Sequence, residues 1–183
     1  NNKIDEINYK KYTIEVSSGK ITLYDENAKY SEFSIDTFEV HFGYLLTMID
    51  MLEKIIYNSK KSQYSTLIMG FGLGGAPMYL SKYNQITKID TIDLDYDLFK
   101  IFKKVTKSHN INVSDKINFI HGNAIDYLKQ SKINGTKYDF ILDDIFDSAE
   151  KVDYDLDLIY DCLNEDGIFF MNVHYRPQDY VDI

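Results

Sequence analysis

The sequence predicts an α/β protein: a Rossmann-like, mostly parallel, doubly wound sheet preceded by a small N-terminal antiparallel β extension. Three observations carry this. From residue 41 onward, short apolar runs alternate with segments of helical period, the pattern of a helix-covered parallel sheet. The run Thr66-Leu-Ile-Met69 stops on a glycine-rich turn, Gly70-Phe-Gly72-Leu-Gly74-Gly75, which opens a helix. The next strand ends on the acids Asp93 and Asp95, roughly 20 residues beyond the glycines, where a nucleoside would present its ribose.

The elements follow in order. Tyr12–Val16 and Ile21–Tyr24 are β-rich runs joined by Ser17-Ser-Gly-Lys20, a hairpin signal. A third strand is expected over Tyr30–Ile35. From His41 to Tyr57 the period changes: Phe42, Leu45, Ile49, Leu52 and Ile56 form one stripe of an amphipathic helix. Residues 58–63 are a polar connection into the first sheet strand. Gly70, Gly72, Gly74 and Gly75 carry no Cβ, so the backbone there can lie directly against a ligand. Pro77 sits in the first turn of the following helix, where its missing N–H costs nothing. Ile89–Leu94 is the second sheet strand. A helix then buries Leu98, Ile101, Phe102 and Val105 and turns Lys100, Lys103, Lys104 and Lys107 to solvent. Lys116–Ile120, Tyr138–Leu142 and Ile168–Val173 complete the strands. Between them lie a short helix through Tyr127 and Leu128 and another marked by Leu156, Ile159, Tyr160 and Leu163. The expected organisation is an extension over 1–40 and the nucleoside-binding domain over 41–183.

At 183 residues the chain suits one core that buries roughly 70% of its unfolded surface. Net charge is 20 − 29 = −9, with Arg176 the single arginine. Nucleic acid is therefore excluded as partner, since phosphate binding needs clustered cations, and a cationic small molecule fits better. No apolar run approaches the ~20 residues of a bilayer span, and NNKIDEINYK has no signal-peptide core. The first residue is Asn rather than Met, which predicts a trimmed start. One cysteine, Cys162, allows no internal disulfide and points to a reducing, cytoplasmic setting. Its apolar neighbours predict a buried structural thiol.

Candidate site residues follow from the strand tips, because ligands of open α/β sheets gather at the carboxyl ends. The glycines satisfy both G-x-G-x-x-G, the dinucleotide form, and G-x-G-x-G, the form usual for S-adenosylmethionine, and do not choose between them. Asp93 is the expected ribose acid, able to accept from both hydroxyls, with helix capping assigned to Asp95 or Asp97. Asn123 would offer its side-chain oxygen to an adenine amino group and Ala124 its backbone N–H to a ring nitrogen; capping of the next helix is the alternative for Asn123. Asp144 and Asp147 straddle an acidic mouth, placed to hold a cationic amine or take its proton; turn formation is the alternative. Asp139 reads as structural. Tyr30 and Tyr44 would wall a substrate pocket. The four histidines share no metal-ligand spacing, so no metal site is expected. Ser148 and Cys162 lack a neighbouring histidine, which leaves hydrolase chemistry unsupported.

From Tyr12 to about Val173 the chain resembles the spermidine synthase-like branch of class I S-adenosylmethionine-dependent transferases. The residues that carry the likeness are Gly19-Lys-Ile-Thr-Leu-Tyr-Asp25 with Tyr30-Ser31, His41-Phe-Gly-Tyr44, LIMGFGLGG, IDLD, GNA and YDFILDDIFD. The resemblance implies S-adenosylmethionine or its decarboxylated relative as cofactor, with Asp93 in the ribose place. It puts Asp144 on the catalytic aspartate of aminopropyltransferases and Asp147 on the second, amine-binding aspartate. There are departures. Leu73 stands where those enzymes carry an acid in Gly-Gly-Gly-Asp-Gly-Gly, and the segment Asp144-Ile-Phe-Asp147-Ser-Ala-Glu lacks their proline. Lys29 and Phe38 take the places of an expected glutamine and tyrosine, and the resemblance implies two further C-terminal strands beyond the fifth, which this sequence is not expected to supply. Methyl transfer to an undetermined acceptor is accordingly the first reading, because the gatekeeping segment is altered. Aminopropyl transfer to a diamine is the alternative. A catalytically silent relative and an NAD-dependent oxidoreductase are the others. Homodimer formation is compatible with the sequence.

Overall fold

The computed structural model describes residues 5–26, 28–41, 43–145 and 155–172. Four consecutive strands, β1 (Asp5–Tyr9), β2 (Tyr12–Ser17), β3 (Lys20–Asp25) and β4 (Ala28–Ser34), form an antiparallel meander in that order. The β2–β3 connection is the expected hairpin: Ser17 pairs with Lys20, and Ser18 and Gly19 between them both have positive φ. That is the two-residue turn whose twist matches the strands it joins. Strand β1 is an addition to the expected set. Its sequence, DEINY, carries too few apolar residues to announce a strand, and pairing of Ile7 with Ile14 and Tyr9 with Tyr12 makes it one. Alternate residues Ile14, Ile21, Leu23 and Phe33 are fully buried.

Helix α1 (Gly43–Asn58) follows, and its buried side is the expected stripe of Leu45, Ile49, Leu52 and Ile56, with Met48 added; Phe42 lies outside the described residues. The second sheet holds β5 (Tyr64–Met69), β6 (Ile86–Asp93), β7 (Ile117–His121), β8 (Tyr138–Asp143) and β9 (Leu163–Phe170). All pairs are parallel, in the order β7-β6-β5-β8-β9. Helices α2 (Gly75–Leu80), α3 (Tyr96–Ser108), α4 (Ala124–Asn134) and α5 (Leu156–Asp161) connect them. Because side chains alternate along a strand, β5 feeds two cores. Ile68 joins the small sheet, α1, α2 and α3 on one face, and Leu67 and Met69 join α4 and α5 on the other. The Rossmann-like class and the antiparallel extension are thus as the sequence predicts.

One boundary differs. The helix expected to include Leu163 ends at Asp161, and Leu163 opens β9. The buried residues of α5 are Leu158 and Ile159, with Cys162 just beyond, while Leu156 and Tyr160 face solvent. The three- and four-residue spacing of Leu156, Ile159 and Leu163 therefore ran across a helix–strand junction. Cys162 is buried and its thiol donates to the Leu128 carbonyl, the structural role expected of it.

At the amino ends of β5 and β8, Asp139 accepts from the Ser65 N–H at 2.8 Å, from Asn164 Nδ2 at 2.9 Å and from Lys61. Burial would raise this carboxyl, but these donors outweigh it and hold it below the ordinary range. The knot ties α1's exit, β5, β8 and β9 together, which is the structural part expected of Asp139. Higher on β5, Thr66 is fully buried and its hydroxyl has no partner among the described residues. An unpaired buried hydroxyl costs free energy that valine of nearly the same shape avoids. Thr66→Val should stabilise the protein by about 1 kcal/mol, measured as a higher denaturant midpoint at unchanged slope. A lower midpoint would refute it.

Candidate active site

The sheet's carboxyl end supplies the site, and backbone hydrogen bonds continue past the strands to draw the tips together. The Gly70 N–H donates to the Ile92 carbonyl at 2.8 Å and the Asp144 N–H to the Met69 carbonyl at 2.8 Å. Strand order reverses at β5, between β6 and β8, so these loops flank the crevice where α/β ligands bind. Gly70 has φ +97, and a Cβ there would lie 2.7 Å from the Asp144 carbonyl carbon and nearer still to its oxygen. Only a residue without a side chain lets the two loops touch.

Gly74 and Gly75 are packed tightly against protein as well. A Cβ on Gly74 would meet the Phe102 ring at 2.8 Å and Phe71 at 2.9 Å; one on Gly75 would meet Val40 at 3.0 Å and Phe33 at 3.1 Å. At Gly72 the nearest atom is Ser31 Oγ, at 3.4 Å. The sequence suggested that these glycines leave room for a ligand. In the structure the Cβ space beside Gly70 is taken by the backbone of the Asp144 loop, and that beside Gly74 and Gly75 by core side chains.

Asp93 ends β6, and both its oxygens accept main-chain hydrogens: Oδ2 from Phe71 in the glycine loop and Oδ1 from Asp95, each at 2.8 Å. Each oxygen keeps a further lone pair for a hydroxyl. Burial raises this carboxyl above its ordinary value, the two N–H groups lower it in part, and Asp95 adds to the rise. Asp95 caps α3, its Oδ1 accepting from Asp97 N–H at 2.9 Å, as assigned. Asn123 caps α4, its Oδ1 accepting from Ile125 at 2.8 Å and Asp126 at 3.2 Å. The capping alternative thus holds for Asn123, and the oxygen expected for an adenine amino group is engaged. The cap leaves the Ala124 N–H at the first helical position, where a helix has donors to spare. Beside this edge Leu94 is 68% exposed, an apolar side chain standing in solvent between two acids. His121 Nε2 bonds the Leu94 carbonyl at 3.0 Å, and its ring packs on Tyr96.

Across the crevice, Asp144 follows β8. Tyr44, from the first turn of α1, donates its hydroxyl to Asp144 Oδ1 at 2.7 Å. Enclosure pushes the Asp144 carboxyl up to about 7; the Tyr44 hydroxyl pulls it down, and the charges of Asp143 and Asp93 push it up again. Tyr30 on β4 feels both Asp93 and Asp144, and burial with these acids raises its phenol. The structure thus brings Gly70, Gly72, Asp93, Tyr30, Tyr44 and Asp144 together, while Gly74 and Gly75 of the same loop pack against core side chains. Asp147 lies outside the described residues. Among the described residues neither Asp93 nor Asp144 forms an ion pair, and no three His, Cys, Asp or Glu side chains gather as a metal site. No helix among them is long and apolar enough to cross a membrane. The Tyr44 contact had no local sequence signal, since its partner lies 100 residues away.

A family model described as spermine/spermidine synthase domain matches residues 46–176. The chain is 25% identical over 193 residues to a polyamine aminopropyltransferase of Clostridium botulinum, covering 92% of this chain and 64% of that protein. It is 36% identical over 88 residues to a polyamine aminopropyltransferase of Prochlorococcus marinus, covering 47% of this chain and 30% of that one. The chain therefore spans less than two thirds of the length of these curated relatives. Among solved structures, spermidine synthase from Thermotoga maritima superposes with a TM-score of 0.58 at 15% identity, covering 92% of this chain and 55% of that one. That likeness establishes the shared fold.

Proposed function

Since the chain belongs to the spermine/spermidine synthase domain family, we propose that it transfers an aminopropyl group from decarboxylated S-adenosylmethionine to a diamine. The observation that carries this reading is Asp144: a carboxyl with its proton affinity near neutrality, held by Tyr44, beside the glycine loop and within the field of Asp93. Asp93 would hold the ribose hydroxyls, Leu94 would lie along the base, and the Ala124 N–H would meet a ring nitrogen. In the transfer, Asp144 takes a proton from the substrate amine. The freed nitrogen lone pair forms a bond to the propyl carbon next to the sulfonium, and the carbon–sulfur bond breaks toward sulfur, leaving a neutral thioether nucleoside. Asp147 would take the far ammonium, the part the resemblance assigns it. Most of the acceleration comes from holding nitrogen and carbon in line.

The acids of the mouth also bear on which sulfonium is held. S-adenosylmethionine would bring its carboxylate toward Asp93, Asp143 and Asp144, a meeting of like charges; the decarboxylated form brings only cations. The names of the relatives support aminopropyl over methyl transfer as well, which reverses the order expected from the sequence. The full chain should therefore bind decarboxylated S-adenosylmethionine at least about tenfold more tightly than S-adenosylmethionine by calorimetry, a difference of roughly 1.4 kcal/mol. With an aliphatic diamine it should release the thioether. One observation favours the other transfer: Leu73, in the place of the family's acid, is fully buried. Tighter binding of S-adenosylmethionine, with methylated product, would replace aminopropyl by methyl transfer. The single cysteine and the acidic charge are what support a cytoplasmic setting.

A further inference from the structure

We infer that Tyr12, on the small sheet, is a positioning residue for the nucleoside-binding acid Asp93; the inference rests on the S-adenosyl reading above. Tyr12 is 3% exposed, and its hydroxyl donates to Asp95 Oδ2 at 2.7 Å. The other Asp95 oxygen caps α3, and the Asp95 N–H donates to Asp93 Oδ1 at 2.8 Å. Asp93 Oδ2 in turn accepts from Phe71 of the glycine loop. A phenol 83 residues away thus fixes the cap, the cap fixes the turn, and the turn orients the carboxylate. Around this relay the β1–β2 turn grips the start of α3: Lys10 pairs with Asp97 at 2.5 Å, and the Lys11 amine lies 4.8 Å from the centre of the Tyr12 ring.

A hydroxyl suits this position. Asp95 gives one oxygen to its helix, and the second accepts from a neutral donor that leaves the local charge unchanged. A phenol does this without drawing Asp95 away from its cap, as a lysine would. With the cap turn loosened, the Asp95 N–H no longer holds Asp93 Oδ1, and the ribose hydroxyls meet a carboxylate free to rotate.

The test uses Tyr12→Phe, which keeps the ring and removes the donor. In the ligand-free full chain, amide exchange at Phe71 and Asp95 should accelerate several-fold. Affinity for decarboxylated S-adenosylmethionine should fall about five- to twentyfold, the scale of a charge-assisted hydrogen bond acting through one intermediary. KM for the diamine and kcat should stay within about twofold of the parent protein, since saturating donor restores the pose. Tyr9→Phe, which loses only a 3.5 Å contact to Asp97, should change none of these. Asp95→Asn keeps a good helix cap but weakens the acceptor, and should reproduce the affinity loss if Tyr12→Phe fails to fold. Parental exchange and affinity in both Tyr12→Phe and Asp95→Asn, while Asp93→Asn loses binding, would overturn the positioning role and leave the functional reading standing. Faster exchange in Tyr12→Phe from a parent that binds no S-adenosyl ligand would do the reverse.

Discussion

Asp144→Asn is expected to lower the transfer rate roughly a hundred- to ten-thousand-fold, the range measured when a positioned proton acceptor is removed, while donor affinity changes little. Asparagine keeps the shape and can still accept from the Tyr44 hydroxyl, so the loss isolates the proton-accepting step. In the parent protein, kcat/KM should rise with pH and level off near 7, where the enclosed carboxyl ionises; the variant should lack that limb. Stability should move in the opposite sense. The Asp144 carboxyl has a higher proton affinity folded than unfolded, so the stability it contributes is complete below about pH 4 and is lost as pH rises toward 7. The variant has no such group and should be more stable than the parent at pH 8, on the order of 2 kcal/mol, with the difference vanishing at pH 4. A variant of parental rate would remove Asp144 from the chemistry. One destabilised at pH 8 would show that the carboxylate is better solvated than its surroundings indicate.

The second large effect is expected at Gly70→Ala. A methyl there would drive into the Asp144 carbonyl, and φ +97 is foreign to an L residue. Neither neighbour is a flexible side-chain end that can swing aside. The cost should be roughly 3–5 kcal/mol, a large part of the 5–15 kcal/mol that holds an ordinary domain together. Whatever folds should also hold Asp144 away from the glycine loop, so transfer should fall further than binding. Gly72→Ala provides the contrast, at about 1 kcal/mol: φ +54 is a left-handed value some residues tolerate, and Ser31 Oγ stands off at 3.4 Å. Chemical denaturation of both variants measures the difference, and equal midpoints would refute the role given to the β5–β8 contact.

What the sequence disclosed and what it withheld divide along physical lines. Buried parallel strands such as Thr66–Met69 and Tyr138–Leu142 are visible because both faces must be apolar. The glycine turn is visible because its backbone demands a missing side chain. Strand β1 was invisible because an edge strand with one solvated face needs few apolar residues, and DEINY has only Ile7 and Tyr9. The α5–β9 junction was misplaced because Leu163 continues a helical spacing by coincidence, while pairing with Tyr138 makes it strand. In the site, the acids at the strand tips were legible from position alone. Their state was not: the proton affinity of Asp144 comes from burial and from two other acids, against the pull of Tyr44, and the set of Asp93 comes from a loop 22 residues away and, through Asp95, a phenol on another sheet. Asn123 was half legible, since one residue type serves both as cap and as base reader.

The Asp139 knot lies on β8 five positions before Asp144, which follows the strand's last residue, roughly 17 Å away at the rise of an extended chain. Lys61 pairs with Asp139 where its charge arises, and among the described residues the acids that act on Asp144 are Asp143 and Asp93. That separation exceeds the screening length of roughly 8 Å, so the ionic clasp at one end of β8 and the carboxyl beyond its other end should influence each other little. A change in how firmly Lys61 grips the strands at that end should therefore leave the proton affinity of Asp144 where it is.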